Sequence, residues 1–210
     1  DTLPADLSPF ALVIYLGGIL NFGDGALNVQ MTDEEATALT AHIDDGGSVY
    51  VEEPAFGLLY ADGSEAVTEL WSRFHAVHEN GFARTTGNVE TVTGDGASPM
   101  DGLSFAYDYQ SWPDQFAGQV SPDGTAGSER VWFDQSDYDR GTLYVDAATG
   151  SNLYMVPLLL GGMSDGAYPS TRLEHVTRVL SSSGLLGSAG VEDWPERPEA
   201  RLRKNSPNPF

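Results

Sequence analysis

The stretch "ALVIYL" at residues 11–16 is continuously apolar and stops at Gly17 and Gly18, the pattern of a strand covered on both faces inside a parallel sheet. "MTDEEATALTAHIDDGG" follows, with Thr32 at the N-cap, Glu35 at the capping-box position, Asp33 and Glu34 in the first turn and Gly46 at the exit. Ala36, Leu39 and Ile43 then share one helical face. "SVYVEE" at residues 48–53 is a second strand. A strand, helix and strand packed into about 45 residues form a right-handed crossover by default, which places the chain among α/β proteins.

Further along, Val67, Leu70, Trp71 and Phe74 recur at helical spacing within residues 64–77 and predict a second helix. Residues 81–127 are rich in Gly, Asp, Pro and Ser, with strand-like pieces only at "NVETVT" and "LSFAYD". Regular patterning resumes with "RVWFD" and "TLYVDA" around an acidic turn. "NLYMVPLLLGG" then reads as another buried strand ending at Gly161 and Gly162. "PSTRLEHVTRVLSSSG" opens beside Pro169 and closes at Gly184, predicting a last helix with Leu173, Val176, Val179 and Leu180 inward. Together these elements predict a doubly wound, mostly parallel sheet with an irregular β-containing insertion before the last strands. After Gly187 the composition becomes polar, charged and proline-punctuated, so residues 188–204 read as a linker that does not pack on the domain at 1–187.

The chain carries 31 acidic against 10 basic side chains, a formal charge of -21, which repels nucleic acid and anionic lipid. Nine of those cations are arginines and Lys204 is the one lysine. A surface of that kind suits high or variable salt, where screening weakens self-repulsion, and GC-rich coding would give the same bias. The absence of cysteine removes disulfides, thiolate metal sites and cysteine nucleophiles. No apolar run reaches the roughly 20 residues a membrane span needs. The first residues, "DTLPADLSPF", contain neither a basic region nor a methionine, so the chain reads as a soluble piece of a longer precursor.

Four stretches in order, "LSPFALVIYLGG", "LTAHIDDGGSVYVEEPAFG", "GDGASPMDGLSFAYD" and "YMVPLLLGGMSDGAYPSTRLEHVTRVL", resemble the flavodoxin-like, class I glutamine-amidotransferase-like domains of large secreted bacterial proteins. The resemblance covers most of residues 1–187 and implies one or two strands and a helix ahead of Asp1. It also implies that the turn at residues 53–57 is the nucleophile elbow, where catalytic members carry a cysteine. Here that turn reads Glu53, Pro54, Ala55, Phe56, Gly57, with no nucleophile. The tail "KNSPNPF" resembles the opening of the C-terminal sorting domain of type IX secretion cargo, placed on Asn205, Pro207, Asn208, Pro209 and Phe210. From the residues alone, Pro207 and Pro209 dictate only that their predecessors are extended.

Ligands of doubly wound sheets bind outside the carboxyl ends of the strands, so the candidate ligand-facing crest comprises Gly17, Gly18, Glu53, Phe56, Gly161 and Gly162. Glu52 and Glu53 are candidate acid–base groups, although neighbours on a strand point to opposite faces and cannot flank one bond. His75 and His78, three apart at the end of the second predicted helix, are candidate metal ligands lacking a third partner. Asp134, Asp137 and Asp139 are candidate calcium ligands or, more simply, an acidic turn. Trp112, Phe116, Trp132, Phe133 and Tyr138 form either core or a sugar-stacking platform. The two Asp-Gly pairs of "GDGASPMDG" read as turns. No cofactor motif is present.

The expectation is therefore a non-catalytic structural or binding module of a secreted or surface protein, exported by type IX secretion. Its partners would be neighbouring domains of the same precursor and the secretion machinery, without nucleic acid or a membrane span. Two alternatives stand: part of an extracellular hydrolase whose catalytic residues lie elsewhere, and a carbohydrate-binding accessory domain.

Overall fold

The computed structural model describes residues 3, 4, 6–17, 31–54, 63–80, 88–108 and 117–186. Gly18, Phe56, Trp112, Phe116, the linker at 188–204 and the tail motif at 205–210 lie outside the described residues.

The predicted crossover is present. Strand β1 (Leu12–Leu16) pairs in parallel with β2 (Ser48–Glu52), and α1 (Asp33–Asp44) connects them. The α1 entrance is a complete capping box: the Glu35 N–H donates to Thr32 Oγ1 at 3.2 Å and the Thr32 N–H donates to Glu35 Oε2 at 2.9 Å. At the exit, Gly46 sits at φ 92°, a left-handed conformation that glycine adopts without a Cβ penalty.

Helix α2 (Glu65–Arg73) is capped by Ser64, but it stops four residues before the predicted end. Phe74 is fully buried, and His75 turns the chain at φ 48° into β3 (Ala76–Asn80). Six more strands follow: β4 (Thr91–Gly94), β5 (Ser104–Tyr107), β6 (Gln119–Pro122), β7 (Glu129–Asp134), β8 (Asp139–Val145) and β9 (Asn152–Val156). A 3-10 turn at Leu160–Gly162, the short strand β10 (Met163–Ser164) and α3 (Arg172–Ser182) complete the described elements.

The sheet corrects the doubly wound expectation. Its main order is β1-β2-β9-β8-β7-β4-β5-β10, with β3 and β6 joined alongside through β8. Only β1–β2, β2–β9 and β6–β8 pair in parallel among the described strands; every other pairing is antiparallel. The fold is thus a mixed, mostly antiparallel sheet with three described helices, and not a flavodoxin-like α/β layer. The reason lies in residues 76–145, read from sequence as a helix end, an irregular stretch with two strand-like pieces, and two strands around an acidic turn. There the short strands β3 to β8 pair with one another, while β7, β8 and β9 run as an antiparallel meander, leaving no room for crossover helices.

Two cores flank the sheet. On one face α1 and α2 pack Ala36, Leu39, Ile43, Val67 and Leu70 against Val13, Val49, Val51, Leu153 and Met155. On the other, α3 packs Val179 against a cluster containing Tyr50, Trp132, Leu143, Tyr154 and Val156. Strands β2 and β9 are buried along their whole length. By contrast β1 is at the end of the strand order and alternates, leaving Ile14 and Leu16 exposed at 42% and 61%. The two-sided burial expected of β1 is therefore corrected to one-sided.

Helix α3 is rotated relative to the sequence expectation. Leu173 is 77% exposed, Val176 and Leu180 are half-buried, and the inward positions are His175 and Val179. Leu39→Ala is accordingly expected to cost about 2–5 kcal/mol as a core truncation, whereas Leu173→Ala stays within about 0.5 kcal/mol as a surface change. Urea unfolding of the two variants checks the rotation, since equal costs would return Leu173 to the core.

Candidate functional site

The carboxyl ends of β1, β2 and β9 converge, and the residues there are joined mainly to each other. Gly17 N–H donates to the Glu52 carbonyl at 2.9 Å, and Glu53 N–H donates to the Val156 carbonyl at 3.1 Å. The Pro54 carbonyl accepts from Gly118 N–H at 2.8 Å. Glu53 is 1% exposed, and its carboxylate packs so closely on Gly17 that a Cβ there would collide with it. Gly17 is thus required by close approach. Gly161 and Gly162 do not end a strand. They lie in the 3-10 turn beyond Pro157, where the Gly162 carbonyl accepts from Asp108 N–H at 2.7 Å and Gly161 has open space around its Cα.

Glu52, on the opposite face from Glu53, is 3% exposed and heads a buried polar chain. Its Oε1 accepts from Leu160 N–H at 2.6 Å, which anchors the 3-10 turn to the end of β2. Its Oε2 lies 3.4 Å from the Tyr50 hydroxyl, and that hydroxyl is 3.3 Å from His175 Nε2. The His175 ring packs against Trp132, with centroids 5.2 Å apart, and Trp132 is fully buried. Both His175 Nδ1 and the Trp132 indole N–H lack a hydrogen-bond partner among the described residues.

Burial decides the protonation of this chain. Desolvation raises the Glu52 carboxyl from 4.5 to about 7, opposed by the hydrogen bonds from Leu160 and Tyr50. The same effect lowers His175 from 6.5 to about 4. Tyr50 is pushed well above its ordinary value by burial and by the nearby Glu52 carboxylate. A carboxyl that titrates near neutrality beside a neutral imidazole is chemically capable of moving a proton. No short nucleophilic side chain stands on the turn beside it at Glu53 or Pro54.

The other sequence candidates are scattered. His75 stacks on Tyr144 at 4.2 Å in the joint before β3, and His78 lies on β3, so the helical spacing that would have paired them as metal ligands does not exist. Asp134 holds Arg140 through contacts of 2.9 and 2.7 Å and also accepts the Ser136 and Tyr138 N–H groups. Asp137 and Asp139 both face Arg130 Nη1, at 2.8 and 3.3 Å. Arginines thus occupy the oxygens a calcium ion would need, and the described residues contain no cluster of three or more metal-ligating side chains. Of the aromatic platform, Trp132 is buried core, while Phe133 on the neighbouring position lies beneath the Arg130 guanidinium at 4.6 Å.

No known family model matches this chain, and no curated protein matches it. None of the described helices is long and apolar enough to cross a membrane.

Sequence reasoning weighed Glu52 only as a neighbour of Glu53 and passed over Tyr50 and His175. The available signal was "YVE" at the end of a wholly buried strand, where a carboxylate has no route to water and must find a partner.

Proposed function

We propose that this chain is a non-catalytic structural or binding module of a secreted or cell-surface multidomain protein, exported by type IX secretion. The observation that supports the non-catalytic reading is the crest. An acyl-transfer site needs a short nucleophile, a base within reach and free backbone donors for the developing oxyanion. At the end of β2 the N–H of Glu53 is spent on Val156 and that of Gly118 on Pro54. Pro54 has no N–H to offer. Glu53 fills the space beside Gly17.

Export rests on Asn205, Pro207, Asn208, Pro209 and Phe210, and a polar, proline-stiffened segment at 188–204 would hold a sorting domain clear of the folded body. Its partners are then neighbouring domains of the precursor and the secretion apparatus.

Two measurements test the reading. The chain is expected to show no turnover of chromogenic ester, amide or glycoside substrates above buffer. Hydrolysis that falls more than tenfold in Glu53→Gln or Glu52→Gln, with circular dichroism unchanged, would reverse the non-catalytic assignment. In the producing cell, removing everything beyond Lys204, or disabling the type IX apparatus, is expected to retain the protein inside; persistent export would overturn that part.

A further inference from the structure

We propose that Glu52, Tyr50 and His175 form a proton-set relay in which the protonation state of Glu52 at the crest selects the ring tautomer of His175 on α3.

The argument is one of hydrogen-bond direction. Glu52 Oε1 always accepts, because its partner is the Leu160 backbone N–H at 2.6 Å. A proton on Glu52 therefore resides on Oε2, facing the Tyr50 hydroxyl. Tyr50 has one proton to give and lies between two groups, Glu52 Oε2 at 3.4 Å and His175 Nε2 at 3.3 Å. When Glu52 is protonated, Oε2–H donates to Tyr50, Tyr50 donates to His175 Nε2, and the neutral ring carries its proton on Nδ1. When Glu52 is ionised, Tyr50 donates to Oε2 and must accept from His175, which places the ring proton on Nε2 and leaves a lone pair on Nδ1. The group that changes character is Nδ1, which has no partner among the described residues; the indole N–H of Trp132, whose ring packs against that of His175, is likewise without one.

The surroundings suit a relay of neutral and singly charged states. Tyr154 from β9 packs beside Tyr50 with centroids 5.8 Å apart and bonds to Ser182, and the Tyr107 hydroxyl from β5 accepts the Leu159 N–H at 3.1 Å. On α3, Glu174 is paired with Arg178 at 3.0 Å. Leu16 on β1 and Val156 on β9 flank Glu52 in the sheet and are apolar. Burial keeps His175 neutral and brings the Glu52 transition close to neutral pH, so the tautomer exchanges without the ring ever becoming charged in that range.

The test is ring-nitrogen NMR of the uniformly 15N-labelled full chain between pH 5.5 and 8.5, with His175 assigned by comparison with His175→Gln. In the wild type the two ring nitrogens of His175 are expected to exchange their protonated and lone-pair signatures, with Nδ1–H below and Nε2–H above a midpoint near pH 7. Glu52→Gln, whose amide donates to Tyr50 as the protonated acid does, is expected to hold the Nδ1–H tautomer throughout. Tyr50→Phe, which keeps both ends and removes the link, is expected to make the tautomer independent of pH. The relay is overturned if wild-type His175 shows one tautomer across the range or turns imidazolium. It is equally overturned if the exchange survives in Tyr50→Phe, the variant that decides the matter should Glu52→Gln not fold.

Discussion

Arg140→Ala is expected to lower the unfolding free energy by about 3–5 kcal/mol, the range for removing one partner of a buried ion pair. The Arg140 side chain is 0% exposed and its partner Asp134 1%. The guanidinium holds Asp134 Oδ2 through Nε and Nη2, and reaches the carbonyls of Ala117 and Gly118 through Nη1 at 3.1 and 2.7 Å. Truncation would strand a buried carboxylate and free two buried carbonyls at once. Gly118 also ties its N–H to Pro54, so the loss would spread from the β7–β8 hairpin to the crest of β2. Arg140→Lys keeps the charge but not the fork, and each acceptor left unsatisfied costs about 1–3 kcal/mol. It should fall between wild type and alanine. Since natural domains hold roughly 5–15 kcal/mol in total, Arg140→Ala should bring this one near the limit of folding at room temperature. Urea titration followed by circular dichroism reads the difference, and a cost under about 1 kcal/mol would show that the pair is replaceable by water.

The elements that sequence reasoning identified were those whose signals are local. Thr32 and Glu35 form the capping box the spacing implied, and the apolar runs at β2 and β9 are buried throughout. The strand-like segments of the antiparallel half were visible, but their pairing was not, and β4 and β5 are short and half-exposed. "TVTG" and "SFAY" alternate over only four residues each between Asp-Gly turns, and such segments gain strand character only from partners elsewhere in the chain. β3 was hidden for a different reason: Val77 continues the helical register of Phe74 on paper, and nothing in "RFHAVHEN" announces that His75 adopts φ 48°. The rotation of α3 follows from one residue. A lone histidine next to Glu174 reads as surface, and Tyr50, 125 positions away, together with Trp132 provides the contacts that turn it inward. Both halves of the polar chain were in view as residue types, but their meeting is a tertiary fact.

Opposed titrations at Glu52 and His175 give the second large effect, visible when either is removed. Glu52 has a folded value of about 7 against 4.5 unfolded, so the folded state prefers the protonated acid. Its contribution is fully present below pH 4.5 and is lost as pH rises to 7, a swing of about 3 kcal/mol at 1.36 kcal/mol per pH unit. His175 has a folded value of about 4 against 6.5, so the folded state prefers the neutral ring. Its contribution is present above pH 6.5 and is lost as pH falls to 4, a swing of similar size and opposite sign. In the wild type the two slopes cancel between about pH 4.5 and 6.5, which leaves the remaining carboxylates to set the curve. Glu52→Gln exposes the His175 slope: relative to wild type, it should gain about 3 kcal/mol as pH rises from 4.5 to 7. His175→Gln should do the reverse: relative to wild type it should gain about 3 kcal/mol as pH falls from 6.5 to 4. Urea unfolding free energies of the three proteins at half-unit pH intervals give both difference curves, in which the many surface carboxylates subtract out. Parallel curves for Glu52→Gln and wild type would mean that Glu52 ionises at its ordinary value, and that the end of β2 is wetter than its 3% exposure implies.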